Sequence, residues 1–182
     1  MSGSEGRSSL TQRLRASIRD IPDFPKPGIL FKDITPALLD PELFRETVSA
    51  LADWTKAKGG QKIVGVDARG FLFAGAVADR LGVGLVPVRK PGKLPFQTVS
   101  ESYDLEYGVN TLELHTDAIA RGERIVVVDD LLATGGTVLA ATRLVECLGG
   151  SIAGLAFVVE LGFIGGRAKL DEYDIMSLVT FD

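Results

Sequence analysis

The chain has 182 residues, 46% of them hydrophobic and 24% charged, which suits one globular domain with a substantial core and no second domain. A formal net charge of −4 and the lack of a basic run exclude a dedicated nucleic-acid surface. The most apolar region, residues 63–88, is interrupted by Asp67, Arg69, Asp79 and Arg80, which excludes a membrane span there.

Residues 1–9 are small and polar without the apolar core of a signal peptide, and are expected to be disordered or loosely held. Leu10, Leu14 and Ile18 recur at helical spacing among Arg13, Arg15 and Arg19, predicting a first amphipathic helix over residues 10–18. Pro22, Pro25 and Pro27 make residues 21–28 a rigid extended segment, because each ring fixes φ and restrains the residue before it. The short apolar run of residues 29–34 follows, with Phe31 as its exposed aromatic candidate. Residues 41–58 read as a long helix opened by Pro41 and closed by Gly59 and Gly60, with Trp54 a packing residue. A strand over 62–66, a tight turn through Asp67, Ala68, Arg69 and Gly70, and a helix over 71–81 come next. Residues 84–89 are a further short strand and 90–95 a basic turn. Alternation over 98–107 and 109–114 predicts a two-stranded arm, a candidate lid bordered by Gly and Pro. His115 at its end is read as a strand-end surface residue rather than a catalytic base.

The β-branched run 125–128 is the pattern of a strand buried on both faces of a parallel sheet. Asp129 and Asp130 are expected at its carboxyl end, where open α/β sheets place ligands. Thr134, Gly135, Gly136 and Thr137 then turn the chain into a helix whose inward face carries Val138, Ala141, Thr142, Val145 and Leu148. Unpaired N–H groups at a helix start, two glycines and two hydroxyls make a pocket for a single phosphate. The aspartates ahead of it can accept hydrogen bonds from neutral hydroxyls or hold a metal through water. Together they describe a ribose 5-phosphate. The sequence has no P-loop lysine and no dinucleotide fingerprint here. Cys147, the single cysteine, is read as a small core residue that cannot form an internal disulfide, and a reducing cytoplasm is the expected compartment. Strand 151–160, a short helical segment over 165–170 and a final strand over 175–181 complete the chain. The alternation predicts an α/β fold with a doubly wound parallel sheet.

The stretch Val126 to Thr137, a hydrophobic strand, Asp-Asp and a Thr-Gly-Gly-Thr loop, resembles the PRPP-binding motif of the type I phosphoribosyltransferases. Residues 24–34, with the pattern Phe-Pro-x-Pro-Gly-x-x-Phe-basic-Asp-Ile, resemble the N-terminal signature of the adenine phosphoribosyltransferases. The resemblance implies one phosphoribosyltransferase domain over 1–182, a helix and base-binding hood at 10–36 and a flexible catalytic arm at 93–114. It implies magnesium-dependent transfer of the 5-phosphoribosyl group from PRPP to adenine, giving AMP and pyrophosphate in purine salvage, by a homodimer.

Carried onto these residues, Asp129, Asp130, Ala133, Thr134, Gly135, Gly136 and Thr137 would hold ribose and 5-phosphate, the aspartates meeting magnesium at most through water. Asp67, Ala68, Arg69, Lys90 and Lys93 would hold pyrophosphate, with Ala68 standing where serine is frequent and a non-proline cis peptide at Asp67-Ala68. Phe31 and Leu131 would sandwich adenine while Leu30 and Lys32 offer backbone groups to its edge, matching a donor at N6 and an acceptor at N1. Glu106 would exchange a proton with the purine from the loop that also carries Tyr103 and Tyr107, and Arg89 would reach a neighbouring subunit. Arg69 as a structural ion-pair residue, a phosphoribosyltransferase for another base, and a non-catalytic PRPP-sensing regulator remain the alternatives.

Overall fold

The computed structural model describes residues 2–104 and 109–182, in two compact units, residues 1–50 and 51–182. Glu106 and Tyr107, singled out above, lie outside the described residues.

The first unit contains α1 (Ser2–Ser17), β1 (Arg19–Pro22), β2 (Leu30–Asp33), α2 (Thr35–Leu39) and the start of α3 (Pro41–Ala57), which continues into the second. Leu10 and Leu14 are buried on α1 and Ile18 just beyond it. The backbone is helical from Ser2, whereas the sequence places residues 1–9 outside regular structure. Once a turn is anchored, each added residue fixes few dihedrals for one hydrogen bond, so weak formers can extend it. Arg13 forms an ion pair with Glu46.

The proline-rich segment also differs from expectation. Instead of one extended stretch it is the connection of an antiparallel pair, with Arg19 opposite Asp33 and Pro22 opposite Leu30. The Asp23 carboxylate accepts from the Gly28 N–H at 2.7 Å, and Phe24 N–H donates to Ile29 C=O at 3.3 Å, folding the chain back. The Arg19–Asp33 and Lys32–Asp20 ion pairs, at 2.7 and 2.5 Å, lace the two strands. Phe24 stacks edge-on against Phe31 with centroids 5.1 Å apart.

The second unit is a five-stranded parallel sheet. Its strands are β3 (Lys62–Val66), β4 (Gly84–Val88), β7 (Arg124–Leu132), β8 (Ser151–Leu161) and β9 (Ile175–Phe181), in the order β4-β3-β7-β8-β9. Connections run through α4 (Gly70–Leu81), α5 (Gly136–Cys147) and two short 3-10 turns, Gly162–Ile164 and Gly166–Leu170. α4 packs on β3, β4 and β7, while α5 packs on β7 and β8. Ile125 and Val127 meet Leu144, Val145 and Leu155 in one fully buried cluster. β5 (Thr98–Asp104) and β6 (Val109–His115) form the expected arm, paired from Thr98 opposite His115 to Asp104 opposite Val109. His115 ends β6, its Nε2 accepting from the Phe96 N–H at 3.3 Å, while Cys147 is exposed rather than in the core. As the last residue of α5 it falls outside that helix's buried face.

The chain leaves β3 for β4 on one side and returns to β7 on the other, so the direction of winding reverses between β3 and β7. In such sheets that reversal opens a crevice beyond the strand ends. Here the strands bordering it differ in reach. β3 pairs with β7 only as far as Gly65 opposite Val128, but β7 continues against β8 through Asp129, Leu131 and Leu132. Asp129 and Asp130 therefore lie within the strand rather than past its end, because β8 is long enough to keep the ladder going on one side.

Candidate active site

The crevice is a cleft of about 310 Å³ lined by two loops and the overhang of β7. Val66, Asp67, Ala68 and Arg69 come from the end of β3; Asp129, Asp130, Leu131, Leu132, Ala133, Thr134, Gly135, Thr137 and Val138 come from β7 and the start of α5. The turn after β3 carries the expected cis peptide between Asp67 and Ala68. Arg69 then caps α4, whose first residue, Gly70, backs directly onto Asp129. A Cβ there would come within 2.5 Å of the Asp129 Oδ1.

The two aspartates are buried, at 8% and 6% exposure, and electrostatically unequal. Burial, then the neighbouring Asp130 charge, holds the Asp129 carboxyl well above the usual carboxylate range. Burial also raises Asp130, opposed mainly by the Arg69 guanidinium. Asp129 Oδ1 accepts the Asp130 N–H at 2.9 Å. Asp130 Oδ2 lies 2.9 Å from Arg69 Nε, yet it accepts no well-aligned hydrogen bond. A buried acceptor left short of a donor is expensive, and it stands ready for a hydroxyl.

Following the pair, Gly135 adopts φ 77°, a left-handed conformation natural to glycine, and hands the chain to α5. Leu139 N–H returns to Gly135 C=O at 2.9 Å as the first bond of α5, which leaves the N–H groups of the preceding turn without intrahelical acceptors. Tyr103 from the arm places its hydroxyl 3.0 Å from Thr137 Oγ1, and Arg143 of α5 reaches Glu101 at 3.1 Å. β5 of the arm is thus fastened to α5 through Tyr103 and Glu101.

The predicted residues are not all gathered here. Gly136, Lys90 and Lys93 do not line the cleft, and both lysines are exposed. Arg89 binds within its own chain, Nε to Asp67 Oδ2 at 2.8 Å and Nη1 to Lys93 C=O at 3.2 Å. Leu30, Phe31 and Lys32 belong to the first unit, where Leu30 is exposed and Phe31 half-buried. The ion pair of Arg69 with Asp130, at 2.9 Å, is the structural role the sequence kept open as an alternative, whereas the pairing of Arg89 with Asp67 was missed. Sequence reasoning also missed that the loop lies on Gly166: a Cβ on Gly166 would overlap the Ala133 carbonyl oxygen. The crowding of Gly162, Gly165 and Gly166 was the available signal for a close approach.

Among the described residues no three His, Cys, Asp or Glu side chains cluster to hold a metal ion, and no helix is long and apolar enough to cross a membrane. Two adjacent carboxylates, with one Asp130 oxygen short of a hydrogen-bond donor, fit a hydrated magnesium ion held through its waters.

The doubly wound sheet thus brings a buried acid pair and a glycine-rich helix start together at its reversal, and comparison with known proteins gives the class. The phosphoribosyl transferase domain matches residues 38–179, and the chain belongs to that family. It is 55% identical over 168 residues to the adenine phosphoribosyltransferase of Caldanaerobacter subterraneus subsp. tengcongensis, covering 92% of this chain and 97% of the relative. The crystal structure of adenine phosphoribosyltransferase from Thermoanaerobacter pseudethanolicus superposes with a TM-score of 0.91 at 53% identity, over 94% of this chain and 99% of that one. The Saccharomyces cerevisiae enzyme, complexed with an imino-altritol bisphosphate and adenine, superposes with a TM-score of 0.89 at 40% identity, over 94% and 99% of the two chains.

Proposed function

We propose that the chain transfers the 5-phosphoribosyl group of PRPP to adenine, releasing AMP and pyrophosphate, with the cleft between β3 and β7 as its PRPP site. The carrying observation is the acid pair, buried and short of a donor, beside the glycine-rich start of α5. A purine nitrogen attacks the anomeric carbon as the bond to pyrophosphate breaks, and positive charge develops on the ribose ring. Asp129 and Asp130 hydrogen-bond the ribose 2- and 3-hydroxyls. Ala133, Thr134, Gly135, Gly136 and Thr137 hold the 5-phosphate through backbone N–H groups and hydroxyls.

Asp67, Ala68 and Arg69 receive the leaving pyrophosphate, with Lys90 and Lys93 adding charge. For Arg69 this means exchanging Asp130 for an oxyanion, which its half-exposed guanidinium can do with little rearrangement. Asp129 and Asp130 would meet a magnesium ion through its waters, and that ion would supply charge neutralisation for the departing diphosphate. Phe31 and Leu131 stack on adenine while backbone groups of Leu30 and Lys32 read its edge. Glu106 takes the proton released by the purine nitrogen during attack, and Tyr103 and Tyr107 travel with its loop.

The working form is a homodimer in the cytoplasm, with Arg89 available to the neighbouring site. Purified protein should be offered PRPP and magnesium with adenine, hypoxanthine, guanine or orotate, following nucleotide and pyrophosphate together. Product from adenine alone supports the assignment. Product from another base removes the hood reading, and PRPP binding without product removes catalysis.

A further inference from the structure

The end of β8 carries a further buried acid, outside the cleft. Glu160, near the end of β8, is 5% exposed and bound by both arms of the Arg167 guanidinium. Nε meets Oε1 at 2.8 Å and Nη2 meets Oε2 at 2.5 Å, while the Ser177 hydroxyl donates to Oε2 at 2.6 Å from β9. Those hydrogen bonds, with Arg167 foremost, hold the Glu160 carboxyl below its ordinary range despite burial. A two-pronged pair of this kind fixes the direction of the arginine as well as its distance.

None of these groups lines the PRPP cleft, and the reaction as described uses none of them. Yet the residue preceding Arg167 is Gly166, and the backbone of Gly166 is the surface on which the loop before α5 rests. A Cβ on Gly166 would collide with the Ala133 carbonyl oxygen and approach the Thr134 carbonyl carbon to 2.7 Å. From the other side, a Cβ on Gly135 would come within 2.6 Å of the Gly166 carbonyl oxygen. The two backbones touch with no side chain between them, so whatever fixes Gly166 also fixes the loop. A close-packed contact of this kind transmits a displacement of one backbone to the other.

We propose that Arg167, gripped by Glu160 and Ser177, is a positioning residue for the 5-phosphate: it locks Gly166 as the floor under residues 133–135 and so sets the shape of the phosphate loop. This rests on the reading of that loop as the phosphate site. Loss of the grip weakens the binding of phosphorylated ligands and spares adenine.

The test compares Arg167→Ala with Thr134→Ala, a change in the loop itself, by measuring dissociation constants for AMP and for adenine together with steady-state kinetics. For Arg167→Ala the AMP constant and the KM for PRPP should rise about tenfold, with kcat and the adenine constant within about twofold, the pattern of lost uniform binding. Thr134→Ala should weaken AMP in the same selective way. If Thr134→Ala is selective but Arg167→Ala leaves AMP binding unchanged, the positioning role is overturned and the phosphate loop stands. If Thr134→Ala has no effect on AMP, the loop assignment fails and the inference with it. Equal weakening of AMP and adenine by Arg167→Ala would mean general damage and would also overturn it. Should Arg167→Ala fail to fold, Arg167→Lys, which can reach one Glu160 oxygen but not both, must still raise the KM for PRPP selectively; an unchanged KM overturns the proposal.

Discussion

Replacing Asp129 with Asn should make the ligand-free protein more stable and less able to bind PRPP. The carboxyl is buried, its neighbour Asp130 carries like charge, and the nearby guanidinium of Arg69 is paired with Asp130. Asn keeps the shape and still accepts the Asp130 N–H, now through an amide oxygen, and its NH₂ can donate to the Asp130 carboxylate. The folded-state pKa of Asp129 is raised, so the folded protein holds that proton where the unfolded chain releases it. Stability from this group is therefore full below the ordinary aspartate range and declines as pH rises toward the folded-state value.

Removing the charge should gain about 1–3 kcal/mol at pH 8, the scale of an inadequately compensated buried polar group. For a chain of this size each kcal/mol corresponds to roughly 2–4 °C in Tm. Thermal unfolding of both proteins from pH 4 to pH 8, without ligand, should show the variant's advantage growing with pH and nearly vanishing at the acid end. PRPP affinity should fall about tenfold or more, as a lost hydrogen bond to a charged group implies. A variant less stable than the parent at pH 8, or an advantage that grows toward acid, would refute the electrostatic reading of the pair.

Other substitutions separate the remaining parts. Arg69→Met should raise the dissociation constant for pyrophosphate about tenfold by calorimetry and lower stability by about 1–2 kcal/mol, less than a fully buried pair costs because Arg69 is half-exposed. Glu106→Ala should reduce kcat by about 10²–10⁴-fold in steady-state assays while AMP binding largely survives; unchanged turnover would take it out of the reaction. Phe31→Ala should raise the KM for adenine by about 1–3 kcal/mol worth of stacking and leave PRPP affinity within about twofold.

Much of this protein could be read from local pattern. The strands at 62–66 and 175–181 and the pairing of the arm followed from apolar runs and alternation, and the structure shows Lys62–Val66, Ile175–Phe181 and the paired Thr98–Asp104 and Val109–His115. The crevice between β3 and β7 was legible too, because Asp129, Asp130 and the loop through Thr137 are contiguous in the chain. What escaped depends on partners far away in sequence. Charge at Asp129 looked like the end of a strand, but pairing with β8 carries β7 on to Leu132. The prolines near residue 25 looked like a stiff spacer, but Asp23 and the strand pairing fold them into a connection. Arg89 with Asp67, and Gly166 under Ala133, are contacts across tens of residues that leave no periodicity behind.

The unequal reach of β3 and β7 has a further consequence. Residues 129–132 are hydrogen-bonded to β8 on one flank and have no ladder partner from β3 on the other, so the middle of the sheet contains a short free margin. Exposed margins normally invite another strand, and outer strands must be guarded against that. Here the margin borders a cleft of about 310 Å³, a volume on the scale of a small molecule, which can meet the groups it presents. Extending β3 by a few residues of matching register would zip the gap closed, adding about 1 kcal/mol for each new bond while erasing the site. The binding capacity of this enzyme is, in that sense, a stretch of unfinished sheet.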